Sequence, residues 1–256
     1  MGTVAEVART PAIHVGIGGW TYEPWRANFY PPGLPHAKEL AYVGQHLTGI
    51  EINATFYGRQ KPASFAKWRD TVPDGFVFAL KGSRYCTNRK ALGEAGESIT
   101  NFVTQGLVEL GDKLGPINWQ LAATKRFDAD EIAAFFALLP ASQDGIMLRH
   151  AIEARHESFR DPAFFDLARQ HGVAVVLADA DDYPCFDERT APFVYARLQR
   201  TRADCATGYA PQDLDAWAGR AKGWAEAGAD AFVFFIAGAK ERAPAAAQAL
   251  LERLKD

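Results

Sequence analysis

The sequence predicts an α/β protein folded as a single (β/α)8 TIM-like barrel, and three observations carry that prediction. Eight short segments have the apolar or alternating pattern of buried strands, and most precede a segment with helical periodicity. Alternating strands and helices imply parallel pairing through right-handed crossovers. The 256 residues accommodate eight units of roughly 30 residues without a composition shift. We therefore predict one domain over residues 1–256, with 1–12 as an N-terminal tail.

The eight strands are predicted from apolar and β-branched runs. In chain order they are residues 13–20, 49–57, 76–81, 117–121, a segment within 146–153, and residues 173–178, 193–198 and 231–236. In the second strand Ile50 and Ile52 fall on one face, whereas Glu51, Asn53 and Thr55 fall on the other. A carboxylate there is costly unless it is paired or faces a wet cavity. The upper rim of a barrel offers such surroundings.

Helical periodicity and capping signals predict seven helices. They cover residues 37–46, 62–72, 94–114, 128–139, 161–171 and 213–227, and the last begins near residue 244. Asp161–Pro162 is typical of a helix start, and Gly172 is typical of a helix end. Residues 179–192 show no helical period, so this is the weakest unit. A doubly wound open sheet is the structural alternative, but eight units favour closure.

Composition and charge narrow the class of protein. The formal net charge of −3 gives no overall basic character that would indicate nucleic acid. The three cysteines, Cys86, Cys185 and Cys205, form no CxxC pair, so no disulfide framework or zinc finger is indicated. That pattern suits a reducing cytosol. No apolar run approaches the roughly 18 residues of a membrane span, and no signal peptide is indicated. We expect a soluble cytoplasmic protein without a membrane partner, and its oligomeric state stays open.

Five motifs together resemble a known family. They are Gly18–Tyr22 with Pro24–Trp25 and Phe29–Pro31, Glu51–Tyr57, Phe76–Lys81, Leu110–Pro116 with Gln120–Leu121, and Glu153–His156. The chain resembles domain of unknown function 72, the YecE-like family, over nearly its whole length. The resemblance implies a TIM-like barrel and no settled biochemical activity.

The chain departs from the family pattern at three places. Many members have Thr-His, His-Gly and Asn-Asn-Asp where this sequence has Thr87–Asn88, Leu198–Gln199 and Ile236–Gly238. Any role carried by those three family motifs is therefore in doubt here. The carboxylates of the second and fifth strands are retained.

Candidate site residues are taken from the carboxyl ends of the strands, where the active site of a (β/α)8 barrel lies. They are Trp20, Glu51, Asn53, Tyr57, Lys81, Gln120, Glu153, Arg155, Asp179 and Arg197. We assign proton transfer to Glu51 and Glu153, charge binding to Arg155 and Lys81, and substrate positioning to Asn53. The structural alternative is that Glu51–Arg155 and Glu153–Lys81 or Glu153–Arg197 are buried ion pairs that close the barrel top.

The charge pattern of the rim loops predicts a small anionic ligand. The basic residues are Arg59, Lys61, Arg84, Arg89, Lys90, Lys125, Arg126, Arg200, Arg202, Lys240 and Arg242. The sixth loop opposes them with Asp179, Asp181, Asp182, Asp187 and Glu188. A phosphate would suit Arg197, Arg200, Lys240 and the helix that begins at Pro244. Nucleic acid is a less favoured partner, because most loop cations are simply solvated.

No cofactor is predicted. Residues 16–19 lack GxGxxG spacing, and neither a GxSxG nor a P-loop motif occurs. A divalent metal on His156, Glu51, Glu153 or Asp179 is a weaker alternative, because no HxH or HxxxH pair occurs. Lys81 has the residue type of a Schiff-base lysine, although salt bridging is the commoner fate of a strand lysine.

The aromatic residues that follow the first three strands could have either of two roles. They are Trp20, Tyr22, Trp25, Phe56, Tyr57 and Tyr85. They could stack a sugar or a base, or pack the first loop onto the barrel as a hydrophobic plug, and the plug is favoured for most.

Three functional hypotheses follow. The first is an acid–base enzyme, a hydrolase or an isomerase or lyase, acting on a small anionic or polyhydroxylated substrate. The second is a metal-assisted phosphoester hydrolase, with nucleic acid as one substrate class. The third is a non-catalytic ligand- or partner-binding barrel. A retaining glycosidase is disfavoured, because its two carboxyl groups lie about 5–5.5 Å apart and the second and fifth strands are not neighbours.

Overall fold

Eleven strands occur within residues 10–255, the part of the chain that the computed structural model describes. Residues 1–9, most of the predicted N-terminal tail, and residue 256 lie outside the described residues. The strands are Ile13–Gly18 (β1), Gly49–Ile52 (β2), Val77–Lys81 (β3), Leu114–Gln120 (β4), Ser142–Gln143 (β5), Ile146–Met147 (β6), His150–Glu153 (β7), Ala174–Val175 (β8), Leu177–Asp179 (β9), Phe193–Leu198 (β10) and Asp230–Phe235 (β11).

Nine of these strands form one parallel sheet in the order β8-β7-β4-β3-β2-β1-β11-β10-β9. Its two end strands are halves of one chain segment, because only Val176 separates β8 from β9. β8 pairs with β7, and β9 pairs with β10, so this segment joins the two edges of the sheet. Counted this way, the sheet has eight positions in chain order. The predicted (β/α)8 barrel is confirmed.

The helices lie between the strands in the predicted alternation. They are Glu39–His46 (α1), Ala54–Tyr57 (α2), Pro62–Thr71 (α3), Arg84–Thr87 (α4), Gly96–Val103 (α5), Ala129–Ala137 (α6), Pro162–His171 (α7), Pro211–Glu226 (α8) and Ala243–Leu254 (α9). The predicted start of α7 is explained by Asp161, which accepts a hydrogen bond from the Ala163 amide. Gly172 ends this helix in the left-handed conformation, with φ of 64°. Across residues 10–255 no helix has the length and apolar character needed to span a bilayer.

Two predicted elements are shorter in the structure. The second strand ends at Ile52 and not at residue 57, because Ala54–Tyr57 forms a helical turn; the Thr55 hydroxyl donates to the Ile52 carbonyl at 3.0 Å. The predicted helix 94–114 is interrupted at Gly106, whose φ is 104°. A Cβ at Gly106 would lie 2.7 Å from the Pro62 ring, so both conformation and space require glycine there.

The fifth barrel strand lies within the predicted segment, residues 146–153. Residues 142–147 form a separate antiparallel hairpin (β5 and β6), and the barrel strand β7 starts at His150. Asp144 and Gly145 occupy the turn with φ of 47° and 81°, as a two-residue hairpin loop requires. Asp-Gly is a known hairpin signal, so the sequence contained this information.

The interior of the barrel is apolar below and charged above. The apolar interior is formed by Val77, Ala79, Ala151, Ala174, Val176, Phe193, Tyr195, Phe232 and Phe234. Side chains alternate along a strand. Lys81, Glu153 and Arg197 therefore occupy the interior face two residues beyond Ala79, Ala151 and Tyr195. The outward faces, including Ile50 and Ile52, pack against the surrounding helices.

Candidate active site at the barrel mouth

A cavity of about 830 Å³ opens at the carboxyl ends of the strands. Seven of the ten predicted site residues line it: Trp20, Asn53, Tyr57, Lys81, Gln120, Arg155 and Arg197. The other three, Glu51, Glu153 and Asp179, are buried and do not line the cavity. The predicted strand ends therefore meet at one mouth, but the carboxylates lie behind the cationic surface.

Arg197 is the central residue beneath the cavity. It extends from β10 and is only 2% exposed. Its Nη2 and Nε donate to the two oxygens of Glu51 at 2.9 and 3.0 Å. Its Nη1 donates to Glu153 at 2.5 Å. One guanidinium thus joins carboxylates from β2 and β7 across the barrel, in a bidentate geometry available to arginine and not to lysine.

Other side chains also donate hydrogen bonds to the Glu51 and Glu153 carboxylates. The Tyr195 hydroxyl donates to Glu51 at 2.7 Å. Arg155 Nε and Asn118 Nδ2 donate to the two oxygens of Glu153 at 2.7 and 3.2 Å. Buried charges are tolerated when they are paired and hydrogen-bonded in this way.

The ionisation of these groups follows from the pairing. Burial alone would raise the pKa of Glu153, but Arg197 and Arg155 lower it to about 2. Burial lowers the pKa of Arg197, and the Glu153 and Glu51 carboxylates more than compensate, so it is raised above its ordinary value. Burial and the Glu51 carboxylate raise the pKa of Tyr195 well above its ordinary value. The network is therefore two carboxylates, two guanidiniums and one neutral phenol at neutral pH.

Lys81 differs from the two arginines because its amine has no hydrogen bond or ion pair with any described residue. Its Nζ lies 4.4 Å from the centre of the Phe56 ring. Burial and the neighbouring Arg197 lower the pKa of Lys81 to about 8, with Glu51 and Glu153 opposing this shift and Arg155 adding to it. Lys81 thus presents a titratable amine to the cavity.

The other lining residues provide polar and aromatic walls. Gln120 Oε1 accepts hydrogen bonds from Arg155 at 2.8 Å and from Arg197 at 3.3 Å. Asn53 Nδ2 donates to the Glu51 carbonyl at 3.4 Å. Trp20 packs edge-on against Trp68, while Tyr57 is 64% exposed at the rim.

Of the predicted ion pairs, Glu153–Arg197 forms, whereas Glu51–Arg155 and Glu153–Lys81 do not. Glu51 pairs with Arg197 and not with Arg155, while Glu153 pairs with Arg155 and Arg197 and not with Lys81. Partner choice depends on depth. Glu51, Glu153 and Arg197 share the buried layer, whereas Lys81 and Arg155 are half-buried above it.

Of the residues predicted to hold a phosphate, Arg197 and Lys240 line the same cavity, whereas Arg200 is not among the lining residues. Arg197 is occupied by Glu51 and Glu153, and Arg200 pairs with Asp179 at 2.6 Å. Lys240 instead lies over the rings of Tyr22 and Trp25, at 4.4 and 5.5 Å. Asp179 also accepts a hydrogen bond from Tyr209, so it is a structural partner of the seventh loop.

The rim aromatics divide between the two predicted readings. Trp25 and Phe56 are buried, and Trp25 donates to the Lys240 carbonyl, which agrees with the plug. Tyr57 and Tyr85 are 64% and 61% exposed, so they do not belong to it.

Three functional residues were not predicted from the sequence. Tyr195 and Asn118 hold the carboxylates, and each precedes a predicted site residue on its strand by two positions, so period-two reasoning could have found them. Gln199 lines the cavity, and its buried Nε2 has no hydrogen-bond partner. The sequence signal for Gln199 was that Leu198–Gln199 stands where many members of the resembled family have His-Gly.

The predicted alternative of a divalent metal depends on His, Cys, Asp and Glu side chains that lie close together and are free to bind it. Over residues 10–255, no three His, Cys, Asp or Glu side chains lie close enough together to hold an ion. His156 Nδ1 is engaged by Ser158 at 2.9 Å, and the site carboxylates are engaged by arginines. The available donors do not fit a divalent cation.

Acid is expected to weaken the fold through Glu153. Because its folded pKa of about 2 lies below the ordinary value of 4.5, its ion pairs contribute stability above pH 4.5 that is lost as the pH falls toward 2. This pKa shift corresponds to a contribution of about 3 kcal/mol to the free energy of unfolding at neutral pH. The free energy of unfolding is measured with urea at pH 6 and at pH 2.5. The difference in this free energy between wild type and Glu153→Gln should shrink by about this amount as the pH falls. For the exposed Glu157→Gln the difference should stay constant; an equally constant difference for Glu153→Gln would contradict the assignment.

Comparisons with known proteins add a family context to this geometry. The family profile described as protein of unknown function DUF72 matches residues 14–256. UPF0759 protein YunF of Bacillus subtilis (strain 168) is 28% identical over 78 residues, which span 30% of this chain and 27% of that protein.

Two solved structures of DUF72 family proteins share the fold. The protein from Thermotoga maritima has a TM-score of 0.77 at 20% identity, covering 96% of this chain and 100% of its own. The protein from Enterococcus faecalis has a TM-score of 0.72 at 18% identity, covering 95% of this chain and 96% of its own. At such identities the likeness supports the fold alone.

Proposed function

This chain belongs to the DUF72 family of proteins of unknown function, and from that premise we propose that it binds a small anionic substrate at its barrel mouth and transforms it by acid–base chemistry. The resemblance found in its motifs is thereby confirmed, but the family supplies no reaction. The proposal therefore depends on the chemistry of the mouth.

One observation carries the proposal: cationic groups face the cavity, while the carboxylates that pair with the arginines lie beneath them. Lys81, Arg155 and Arg197 line the cavity, whereas Glu51 and Glu153 are fully buried and do not. Three cations stand against two carboxylates in this buried and half-buried cluster. Toward the solvent, the cavity is also lined by Lys240 and by the exposed Asp181 and Asp182, and Asp181 pairs with Arg200 at 3.6 Å. A bound anion would supply the missing negative charge, and guanidinium groups suit carboxylates and phosphates.

The proposed roles differ from those first assigned to the glutamates. Glu51 and Glu153 orient Arg197 and Arg155, because carboxylates committed to guanidiniums are poor proton carriers at neutral pH. Lys81 is the reactive amine of the site, since a pKa of about 8 leaves part of it neutral near the operating pH, able to exchange a proton or to attack a substrate carbon. Asn53, Gln120 and Gln199 suit hydroxyl or carbonyl groups of a substrate.

The cavity volume bounds the substrate. About 830 Å³ falls in the range of small-molecule sites, and the cavity is open to solvent on the rim side. A nucleic-acid backbone is a weaker candidate, because the rim cations Arg200 and Lys125 pair with Asp179 and Glu131. The metal-assisted hydrolase is disfavoured by the donor set described above.

Isothermal titration calorimetry with inorganic phosphate and pyruvate, and with uncharged glucose as a comparison, tests the proposal. We expect the two anions to bind and glucose to bind more weakly. Arg155→Ala should weaken anion binding about ten- to hundredfold, the equivalent of a charged hydrogen bond. Glu153 keeps Arg197 as its partner in this variant.

Arg202→Ala is the control. Arg202 is exposed, lies 3.8 Å from Asp204 and does not line the cavity, so anion binding should be unchanged. Equal losses in both variants, or no loss in Arg155→Ala, would contradict the proposed site.

A further inference from the structure

Lys81 is a cavity lysine without an anionic partner. Arg155 and Arg197 are both engaged by carboxylates, but the Lys81 amine has neither a hydrogen bond nor an ion pair with residues 10–255. Its Nζ lies 4.4 Å from the centre of the Phe56 ring. A lysine that only neutralised a carboxylate would lie against one. The amine is therefore available to whatever enters the cavity.

The surroundings also favour the neutral amine. The charged and titratable groups that act on Lys81 are Arg197, Arg155, Glu51 and Glu153. Burial and the arginines outweigh the glutamates, and the resulting pKa of about 8 leaves about a quarter of the amine unprotonated at pH 7.5. An ordinary lysine with a pKa of 10.5 has about 0.1% of free amine at that pH.

We propose that Lys81 is a nucleophile that forms an imine with the carbonyl carbon of a small oxo acid whose carboxylate is held by Arg155 and Arg197. This inference rests on the anion site proposed above and adds the substrate class. Two guanidiniums and a free amine line one cavity, which matches a compound carrying a carboxylate and a carbonyl group close together.

The chemical step balances without an oxidant or reductant. The Nζ lone pair forms a bond to the carbonyl carbon, and the carbonyl π electrons move to its oxygen. Proton transfer from nitrogen to that oxygen gives a carbinolamine. A proton from solvent then converts the hydroxyl group into a leaving water molecule, the nitrogen lone pair forms the carbon–nitrogen double bond, and the product is a protonated imine. The protonated imine then accepts electrons from the neighbouring carbon, which links this step to acid–base chemistry.

The cavity wall offers a donor for the developing oxygen charge. Gln199 Nε2 is buried, has no hydrogen-bond partner and belongs to a residue that lines the cavity. An unpaired buried donor is costly, so a substrate oxygen that accepts its hydrogen bond would be favoured.

No cysteine competes for this role. Cys86 is buried, and burial raises the pKa of its thiol to about 12. Cys185 and Cys205 are not among the residues that line the cavity. Lys240 also lines the cavity, and burial lowers its pKa too, but its Nζ packs over two aromatic rings, so it serves as the comparison lysine.

Reductive trapping of the full chain tests the inference. The protein is incubated at pH 7.5 with sodium cyanoborohydride and pyruvate, glyoxylate, 2-oxobutyrate or 2-oxoglutarate, and the adduct is located by peptide mass spectrometry. We expect one adduct, on Lys81, with at least one of these oxo acids. Acetone, a methyl ketone without a carboxylate, should be trapped at least tenfold more slowly than pyruvate.

Two lysine variants sharpen the result. Lys81→Arg keeps the positive charge but cannot form an imine, so trapping should fall at least tenfold while phosphate binding persists. Lys240→Arg should trap as wild type does. The trapping rate should also rise with pH and level off above about pH 8.

The outcomes separate the inference from the proposed function. Binding of the oxo acids without any trapped adduct, or adducts on Lys240 or scattered over exposed lysines, would overturn the imine and leave the anion site standing. Failure of every anion to bind in calorimetry would overturn both.

Discussion

Arg197→Met is expected to lower the free energy of unfolding by about 3–5 kcal/mol at pH 7. The substitution leaves Glu51 fully buried, with the Tyr195 hydroxyl as its remaining side-chain hydrogen bond among the described residues. A buried carboxylate without a cation is one of the few single-residue changes that costs this much. Urea unfolding followed by circular dichroism measures the loss.

The pH dependence of the free energy of unfolding should differ between this variant and wild type. Without Arg197, the fully buried Glu51 loses its cationic partner, so protonation of this carboxyl should be favoured in the folded variant. Stability of the variant should therefore increase as the pH falls toward 5, whereas wild type gains nothing over that interval.

Arg202→Met is the control for the loss of an arginine. Both Arg202 and its neighbour Asp204 are exposed, so the expected loss is below about 1 kcal/mol. Similar losses in both variants would contradict the central position given to Arg197.

Gly16→Ala is expected to destabilise the barrel by more than about 3 kcal/mol or to prevent folding. Gly16 of β1 pairs in register with Gly49 of β2. A Cβ at Gly16 would lie 1.9 Å from the Gly49 carbonyl oxygen and 2.5 Å from its carbon. Both atoms are backbone, so no side chain can move aside, and the two strands would have to separate. Thermal unfolding and the yield of soluble protein measure the effect.

Gly219→Ala is the matched substitution with the opposite expected sign. Gly219 lies in α8, and a Cβ there would have no neighbour within 4 Å. Alanine should stabilise this helix by about 0.5–1 kcal/mol. A neutral Gly16→Ala would show that the β1–β2 contact is looser than the structure indicates.

The fold was largely predictable because local patterns specify it. Strand–helix alternation predicted the barrel, and the Phe193–Leu198 strand and the Pro162–His171 helix agree with their predicted bounds. The errors lie where backbone geometry overrides periodicity. Residues 54–57 continue a strand pattern but turn into a helix, and Gly106 interrupts an otherwise helical run.

The site was predictable in its residue types but not in its pairing. Placing the strand ends at one mouth followed from the topology, and it brought Lys81, Arg155 and Arg197 together. Which carboxylate meets which cation depends on depth and register across β2, β7 and β10, and these are not sequence-local properties. For that reason Arg197 was predicted to bind substrate, with its pairing to Glu153 only as an alternative. In the structure Arg197 pairs with both Glu51 and Glu153.

X-ray diffraction from crystals soaked in sodium selenate tests the central claim most directly, because selenium scatters anomalously and selenate resembles sulfate and phosphate in shape and charge. We expect an anomalous peak inside the cavity, within hydrogen-bonding distance of Arg155, and its loss in Arg155→Ala crystals. Selenate peaks confined to exposed arginines such as Arg202, with none in the cavity, would contradict the claim that this barrel mouth holds an anion.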